Sequence, residues 1–236
     1  MNIFDKAYVI SLPNRRDRLD AFLRDCPSSI RAMDIEVWPG VTGVKPPEWA
    51  TPSDGAWGAF LAHFQILAHA IRNKMNSLLI LEDDACFLGG FNAKLETFAA
   101  NLPDWQQVYL GGQLLHHIQF PPTKVNDHVY APHNVNRAHA YAIHKSGYQA
   151  IYEHMLKPFG DVFDHQFGRL HETGTFKVLC PAQWLVGQRE GKSDVAVNGQ
   201  RSYDEYWLDP GAIWEADQMM KSYRQRQGSD DAAVLC

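Results

Sequence analysis

The sequence predicts a single α/β domain built on a mostly parallel, Rossmann-like sheet flanked by helices, and three observations predict it. Short apolar runs of strand length alternate with helical patterns through the first half, which is how βαβ units read. One run, Leu78-Leu79-Ile80-Leu81, is apolar at every position, as a strand covered on both faces is. It ends directly in Glu82-Asp83-Asp84. Three carboxylates therefore stand at the carboxyl end of a buried strand, where open α/β sheets bind ligands.

Ala7-Tyr8-Val9-Ile10-Ser11-Leu12 is the first strand, β-branched and aromatic at its centre. Pro13-Asn14 breaks it, and Asn14 is the expected N-cap of a helix over 15–24, whose Leu19, Phe22 and Leu23 fall at helical spacing. Ile35-Glu36-Val37-Trp38 is the second strand, followed by a Pro-, Gly- and Ser-rich loop over 39–55. The longest helix pattern covers 57–74, with Phe60, Phe64, Leu67 and Ile71 on one face and His63 off its centre. After the strand into the acidic triplet comes a helix over 91–100, closed by Leu102-Pro103. Val108-Tyr109-Leu110 is a short strand entering a close turn at Gly111-Gly112. A further strand is expected over 138–143, a helix over 145–155, and a late strand over 176–180 stopped by Pro181. The domain is expected to span 1–224, with 225–236 as a flexible, polar tail.

Composition narrows the function classes. A chain of 236 residues, 45% hydrophobic and 21% charged, supports one core that needs no staples. Its net charge of −5 gives no basic footprint for broad nucleic-acid binding. The cysteines, Cys26, Cys86, Cys180 and Cys236, form no CxxC pair, which suits a reduced compartment and argues against a zinc knot. No HExxH occurs, and His116-His117 are too close to be two ligands on one helix face. His139 and His171 stand beside apolar residues and read as core histidines. No apolar run is long enough for a membrane span, and Met1 to Lys6 lacks a signal-peptide core, so a cytoplasmic location is expected.

Adjacent carboxylates repel, and a divalent cation with oxygen ligands offsets that repulsion. A solvated acidic turn is the alternative. Arg15 and Arg18, just past the first strand, are placed to reach a ligand from the neighbouring strand end; their alternative is a solvated first helical turn.

Three blocks, Tyr8 to Arg18, Gly55-Ala56-Trp57-Gly58 with His63, and Leu79 to Ala85, resemble in order and spacing glycosyltransferase family 25. That family holds bacterial lipooligosaccharide galactosyltransferases and collagen hydroxylysine galactosyltransferases. Trp105 to Gly112, Ala140 to Ile143 with Ser146-Gly147, Gln183 and Ser193-Asp194 continue the resemblance, which covers roughly 7–195. It implies a GT-A fold, a nucleotide-sugar donor that is UDP-linked, and inversion at the anomeric carbon. The acidic triplet becomes this chain's DxD motif. Asp84 is then the first metal ligand, with Asp83 beside it and Mn²⁺ or Mg²⁺ as the ion. No histidine follows His171, so Gln183 or Gln188, or else water, would complete the shell. Leu12, Arg15, Arg18, His63, Glu82, Asp83, Gly111 and Gly112 would line the donor site. In Gly160-Asp161-Val162-Phe163-Asp164-His165, Asp164 is the expected general base and Asp161 the reserve; Asp164 as a helix cap is the alternative.

The resulting expectation is a metal-dependent inverting transferase moving a sugar to an acceptor hydroxyl. A glycan such as lipooligosaccharide is the default acceptor, with a protein hydroxyl or a hydroxymethylated DNA base behind it. A metal phosphohydrolase using Glu82, Asp83 and Asp84 is one alternative, and a non-catalytic nucleotide-sugar-binding module is the other.

Overall fold

The structure, a computed structural model, describes residues 3–50, 53–157, 162–190 and 208–233, the last helix with side chains through 226. In chain order the elements are β1 (Lys6–Ser11), α1 (Arg16–Asp25), α2 (Ser28–Arg31), β2 (Ile35–Pro39), α3 (Asp54–Arg72), β3 (Ser77–Glu82), β4 (Ala85–Phe87), α4 (Phe91–Ala100) and β5 (Gln107–Leu114). There follow β6 (Thr123–Lys124), β7 (Val129–Ala131), β8 (Val135–His144), α5 (Lys145–Met155), α6 (Phe163–His171), β9 (Val178–Pro181), β10 (Val186–Gln188) and α7 (Pro210–Ala233). α7 extends into the segment 225–236 that the sequence assigns to a tail.

The main sheet has the order β2-β1-β3-β8-β5-β9-β7-β6. β1 pairs parallel with both β2 and β3, and β5 with β9. β8 is inserted antiparallel between β3 and β5, and β7 is antiparallel to β9 and to β6. All strands but β8 and β7 thus run one way, giving the mostly parallel, helix-flanked sheet expected of a GT-A type domain.

The all-apolar run of β3 is explained by two cores, one on each face. Leu78 and Ile80 face the cluster covered by α3, α5 and α6, with Phe60, Ile66, Tyr141 and Phe167. Leu79 and Leu81 face the opposite cluster, with Phe22, Ile30, Leu95 and Phe98 from α1, α2 and α4. All four side chains are fully buried, each worth about 1.5–3 kcal/mol. A strand so sealed fixes the position of whatever follows it, here the acidic triplet.

Four local expectations need correction. Arg15, not Asn14, occupies the N-cap of α1, and no side chain caps it. α3 begins at Asp54, ahead of the expected start, because the Ser53 hydroxyl accepts from the Ala56 N–H. Gly111-Gly112 is no turn: β5 runs on to Leu114, with register shifts against β8 on either side of Gly111. Finally, the alternative that makes Asp164 a helix cap does not hold, since α6 starts at Phe163 with Val162 at its N-cap. Among the described residues no helix is long and apolar enough to cross a membrane.

Candidate active site

β1 and β3 are parallel neighbours, so their carboxyl ends lie side by side, with Ile10 opposite Glu82. The Asp83 N–H donates to the Ile10 carbonyl at 3.1 Å, which turns the chain directly after β3. That turn buries Asp83 and Asp84, only 5% and 6% exposed. Buried carboxylates are costly unless paired, and this pair is served from β1 and α1. The Ser11 hydroxyl donates to Asp83 Oδ2 at 2.7 Å. Arg18, one turn into α1, spans both acids: its Nε is 3.2 Å from Asp83 Oδ1 and its Nη2 2.5 Å from Asp84 Oδ2. Burial still pushes the Asp83 carboxyl up from the usual carboxylate range, against the opposing pull of the Ser11 hydrogen bond and Arg18.

A second arm reaches the acids from β10, which pairs antiparallel with β4 and sets Gln188 opposite Ala85. Gln188 Nε2 is 3.4 Å from Asp84 Oδ1, while its buried Oε1 has no hydrogen-bond partner among the described residues. The Arg189 N–H donates to the Asp84 carbonyl at 2.7 Å. Its guanidinium donates to Asp25 Oδ2 at 2.8 Å and to the Ala21 carbonyl at 3.3 Å, tying β10, α1 and the acidic turn together. Gln183 is elsewhere. It is exposed, in a separate groove with Lys94, Lys124 and His128, because β10 leads away from Asp84 in that direction. Of the two glutamines expected beside the acids, Gln188 and not Gln183 meets Asp84.

Among the described residues no group of three or more His, Cys, Asp and Glu side chains is arranged to hold a metal. What the turn offers is two carboxylates and the orphaned amide oxygen of Gln188. All are hard oxygen donors, the kind that Mn²⁺ and Mg²⁺ take, and amide orientation at Gln188 is free to exchange Nε2 for Oε1.

The acids open onto a pocket of about 260 Å³. Ser11, Leu12, Arg18, His63, Glu82, Asp83 and Asp84 form its polar end. Gly40 and Gly43 on one side, and Gly55, Ala59 and Ala62 of α3 on the other, keep its walls thin. Gly58 makes this wall possible, since a Cβ there would stand 2.1 Å from the Val41 carbonyl oxygen. Arg15 does not line the pocket; its Nε pairs with Asp17 at 3.3 Å. Gly111 and Gly112 do not line it either. Their missing side chains make room for Val186 and Val135, so they serve strand packing rather than approach to a sugar.

Asp164 lies in the first turn of α6, not at its cap, which is Val162. Its Oδ2 accepts from the Arg137 N–H at 3.1 Å and its Oδ1 from the His165 N–H at 3.1 Å. Arg137 has φ +80°, the left-handed region that a non-glycine residue rarely adopts, so Asp164 holds a strained point of β8. Burial pushes the Asp164 carboxyl up, and the nearby Glu82 adds to the rise. Asp161 lies outside the described residues, as do Ser193 and Asp194. Because the folded state holds the Asp164 proton more tightly than the unfolded chain does, stability falls as pH rises from the ordinary carboxylate value through the raised one. Asp164→Asn is expected to flatten that part of the profile in urea denaturation at a series of acid pH values. Identical profiles for the two proteins would contradict the assignment.

His139 and His171 are core residues, as expected. His139 Nε2 donates to the Val186 carbonyl at 3.2 Å. His171, pushed down to about 3 by burial, lies between the Val135 N–H and Gln107. Ser11 and Tyr141 are the site residues that sequence reasoning passed over. Ser11 carries a faint signal, a hydroxyl at the end of an apolar strand; Tyr141 carries none.

The family model described as glycosyltransferase family 25 (LPS biosynthesis protein) matches residues 4–159. Human procollagen galactosyltransferase 2 is 28% identical over 132 residues, 46% of this chain and 21% of that protein. The human inactive glycosyltransferase 25 family member 3 is also 28% identical, over 131 residues, 46% of this chain and 22% of the other. The chain matches about a fifth of the length of these curated relatives. A solved Drosophila β-1,4-galactosyltransferase 7 mutant, in complex with manganese, UDP-Gal and xylobiose, has a TM-score of 0.43 at 11% identity, covering 86% of this chain and 71% of that one.

Proposed function

The chain belongs to glycosyltransferase family 25, and from that premise we propose that it transfers a sugar from a nucleotide-sugar donor, UDP-linked, to an acceptor hydroxyl with inversion. The observation that carries the proposal is the buried Asp83–Asp84 pair, served by Ser11 and Arg18 at adjoining strand ends and opening onto a pocket.

Asp84, Asp83 and Gln188 Oε1 would hold a divalent cation, which when bound supplies Lewis-acid neutralisation of the leaving diphosphate. Arg18 adds a fixed positive charge on the same side, at the polar end of the pocket. The thin-walled part of the pocket receives the nucleoside. As the acceptor oxygen attacks the anomeric carbon, the bond to the diphosphate breaks, its electron pair leaves with the nucleotide, and the hydroxyl proton passes to a carboxylate. Asp164 is the proposed base: burial raises its proton affinity, and two backbone N–H groups fix its direction. The acceptor proposed is a glycan, with a protein hydroxyl as the next choice, since one similar protein is named for procollagen.

Thermal-shift titration against nucleotide sugars, with and without Mn²⁺, tests the reading. Ligand at a hundred times its Kd should stabilise by about 2.7 kcal/mol, and a UDP-sugar should do so only when the cation is present. Were no nucleotide sugar to raise the melting temperature with Mn²⁺ or Mg²⁺, the donor reading would be wrong.

A further inference from the structure

We propose that Arg18 competes with a divalent cation for the Asp83–Asp84 pair and, as it yields Asp84, passes its guanidinium to the diphosphate of the donor; this rests on the nucleotide-sugar reading above. Every carboxylate oxygen of the pair is already engaged by the protein. Arg18 Nε is 3.2 Å from Asp83 Oδ1 and its Nη2 is 2.5 Å from Asp84 Oδ2. The Ser11 hydroxyl donates to Asp83 Oδ2 at 2.7 Å, and Gln188 Nε2 lies 3.4 Å from Asp84 Oδ1. A cation at the pair therefore has to share its oxygens with these three side chains.

The three are not equal in that contest. The Ser11 hydroxyl and the Gln188 amide are neutral and own an oxygen each, so either can stay beside a cation or join its ligands. The guanidinium has five N–H donors, no acceptor and a permanent positive charge. It offers a cation no ligand atom and repels the ion across the carboxylates they would share. Arg18 is the side chain that gives way. The contact it loses is the one to Asp84, because that acid also faces the buried Gln188 Oε1, an oxygen with no hydrogen-bond partner among the described residues.

The fold leaves Arg18 one direction in which to yield. Its backbone is held, since α1 is anchored by the fully buried Phe22 and the Arg18 N–H donates to the Arg15 carbonyl at 3.1 Å. Its side chain is 21% exposed, against 7% and 9% for those of Asp83 and Asp84, and it lines the pocket as well as touching the acids. Release is thus a rotation of the side chain alone, into the pocket that the donor is proposed to enter. Two carboxylates and one guanidinium leave a single negative charge; a divalent cation turns it into a single positive one, which a diphosphate offsets. The planar fork that spans two acids fits phosphate oxygens equally well. Cation and donor consequently favour each other, and linkage makes that coupling the same from either side.

Calorimetric titration with Mn²⁺ alone, and with UDP-galactose at saturating Mn²⁺, tests the exchange. Arg18→Gln should bind Mn²⁺ about 10-fold more tightly than wild type, within the range usual for coupled sites. The same variant should bind UDP-galactose about 10-fold more weakly, through loss of a charged contact. Damage to the fold lowers both affinities, so the opposite signs are the signature. Arg18→Lys separates exchange from charge alone. Its ammonium keeps the charge but grips as a point rather than a fork, and so yields the acids more easily. It should bind Mn²⁺ more tightly than wild type, by less than Arg18→Gln does, and keep most of the donor affinity. If Arg18→Gln does not fold, Arg18→Lys carries the test, with tighter Mn²⁺ binding as the expected result. Mn²⁺ affinity at or below the wild-type value in either variant would overturn the exchange. So would native UDP-galactose affinity in Arg18→Gln, since the guanidinium would then not pass to the diphosphate. A wild type that binds no nucleotide sugar would overturn the donor reading and the transfer to diphosphate with it, while the Mn²⁺ series by itself decides whether Arg18 competes at the acids.

Discussion

Asp84→Asn is expected to weaken cation-dependent donor binding sharply and leave a folded protein. The backbone role of this residue survives the change, since it is the Asp84 carbonyl that accepts the Arg189 N–H. The side chain loses its charge, and with it the ion pair to Arg18 and the anionic oxygen beside Gln188. A contact to a charged group contributes about 1.5–3 kcal/mol, so losing the carboxylate's contact to the proposed cation should weaken cation-dependent donor affinity by about 10- to 100-fold. The cost to folding should be smaller, because Asn keeps the volume and Arg18 retains Asp83 as a partner. Calorimetry with UDP-sugar and Mn²⁺ measures the first effect, and urea denaturation the second. Native Mn²⁺-dependent affinity in a folded Asp84→Asn protein would remove the acidic turn from the donor site.

The parts of this site that were legible in the sequence are those set by local order. An uninterrupted apolar strand with acids at its end could only place those acids at a sheet edge, and β3 does so. Arg18 follows the neighbouring strand by one helical turn, which is enough to predict that it reaches the same edge. Its partner was not predictable: it bridges Asp83 and Asp84 because burial leaves them in need of a counter-charge. Gln183 and Gln188 are equivalent in linear spacing, and only the pairing of β10 with β4 decides which meets Asp84. His63 falls off the centre of the apolar stripe of α3, yet it is buried because Tyr141 and Phe163 arrive from distant parts of the chain. The Gly111-Gly112 pair misled for a related reason. Two glycines in sequence signal a turn or an open approach, while here the space beside them is filled by strands that arrive from elsewhere.

Gly111→Ala should therefore be among the most damaging single methyls that can be added at the described glycines. A Cβ at Gly111 would lie 1.9 Å from the Val186 carbonyl oxygen, 2.9 Å from its carbon and 2.5 Å from His139 Nε2. Two of those atoms are backbone, and the third belongs to a buried ring that cannot swing aside. Relief requires β10 to move off β5. That movement breaks the hydrogen bond from His139 to the Val186 carbonyl and strains the one from the Leu185 N–H to the Leu110 carbonyl, 2.8 Å long. Overpacking of about 1–3 kcal/mol and a buried polar group left unpaired at about 1–3 kcal/mol add to roughly 2–6 kcal/mol. In a domain of this size each kcal/mol lowers the melting temperature by about 2–4 °C, so a fall on the order of 10 °C is expected. Gly89→Ala is the control, with no atom within 4 Å of the added methyl, and should stay within about 0.5 kcal/mol of wild type. The functional consequence separates this from an ordinary core defect. β10 carries Gln188 and Arg189 to Asp84, so the part of the Gly111→Ala population that remains folded should bind Mn²⁺ and donor more weakly than wild type. A variant that melts with wild type would mean that β10 is not packed on β5 as described. One that is destabilised but binds donor normally would detach Gln188 from the cation site.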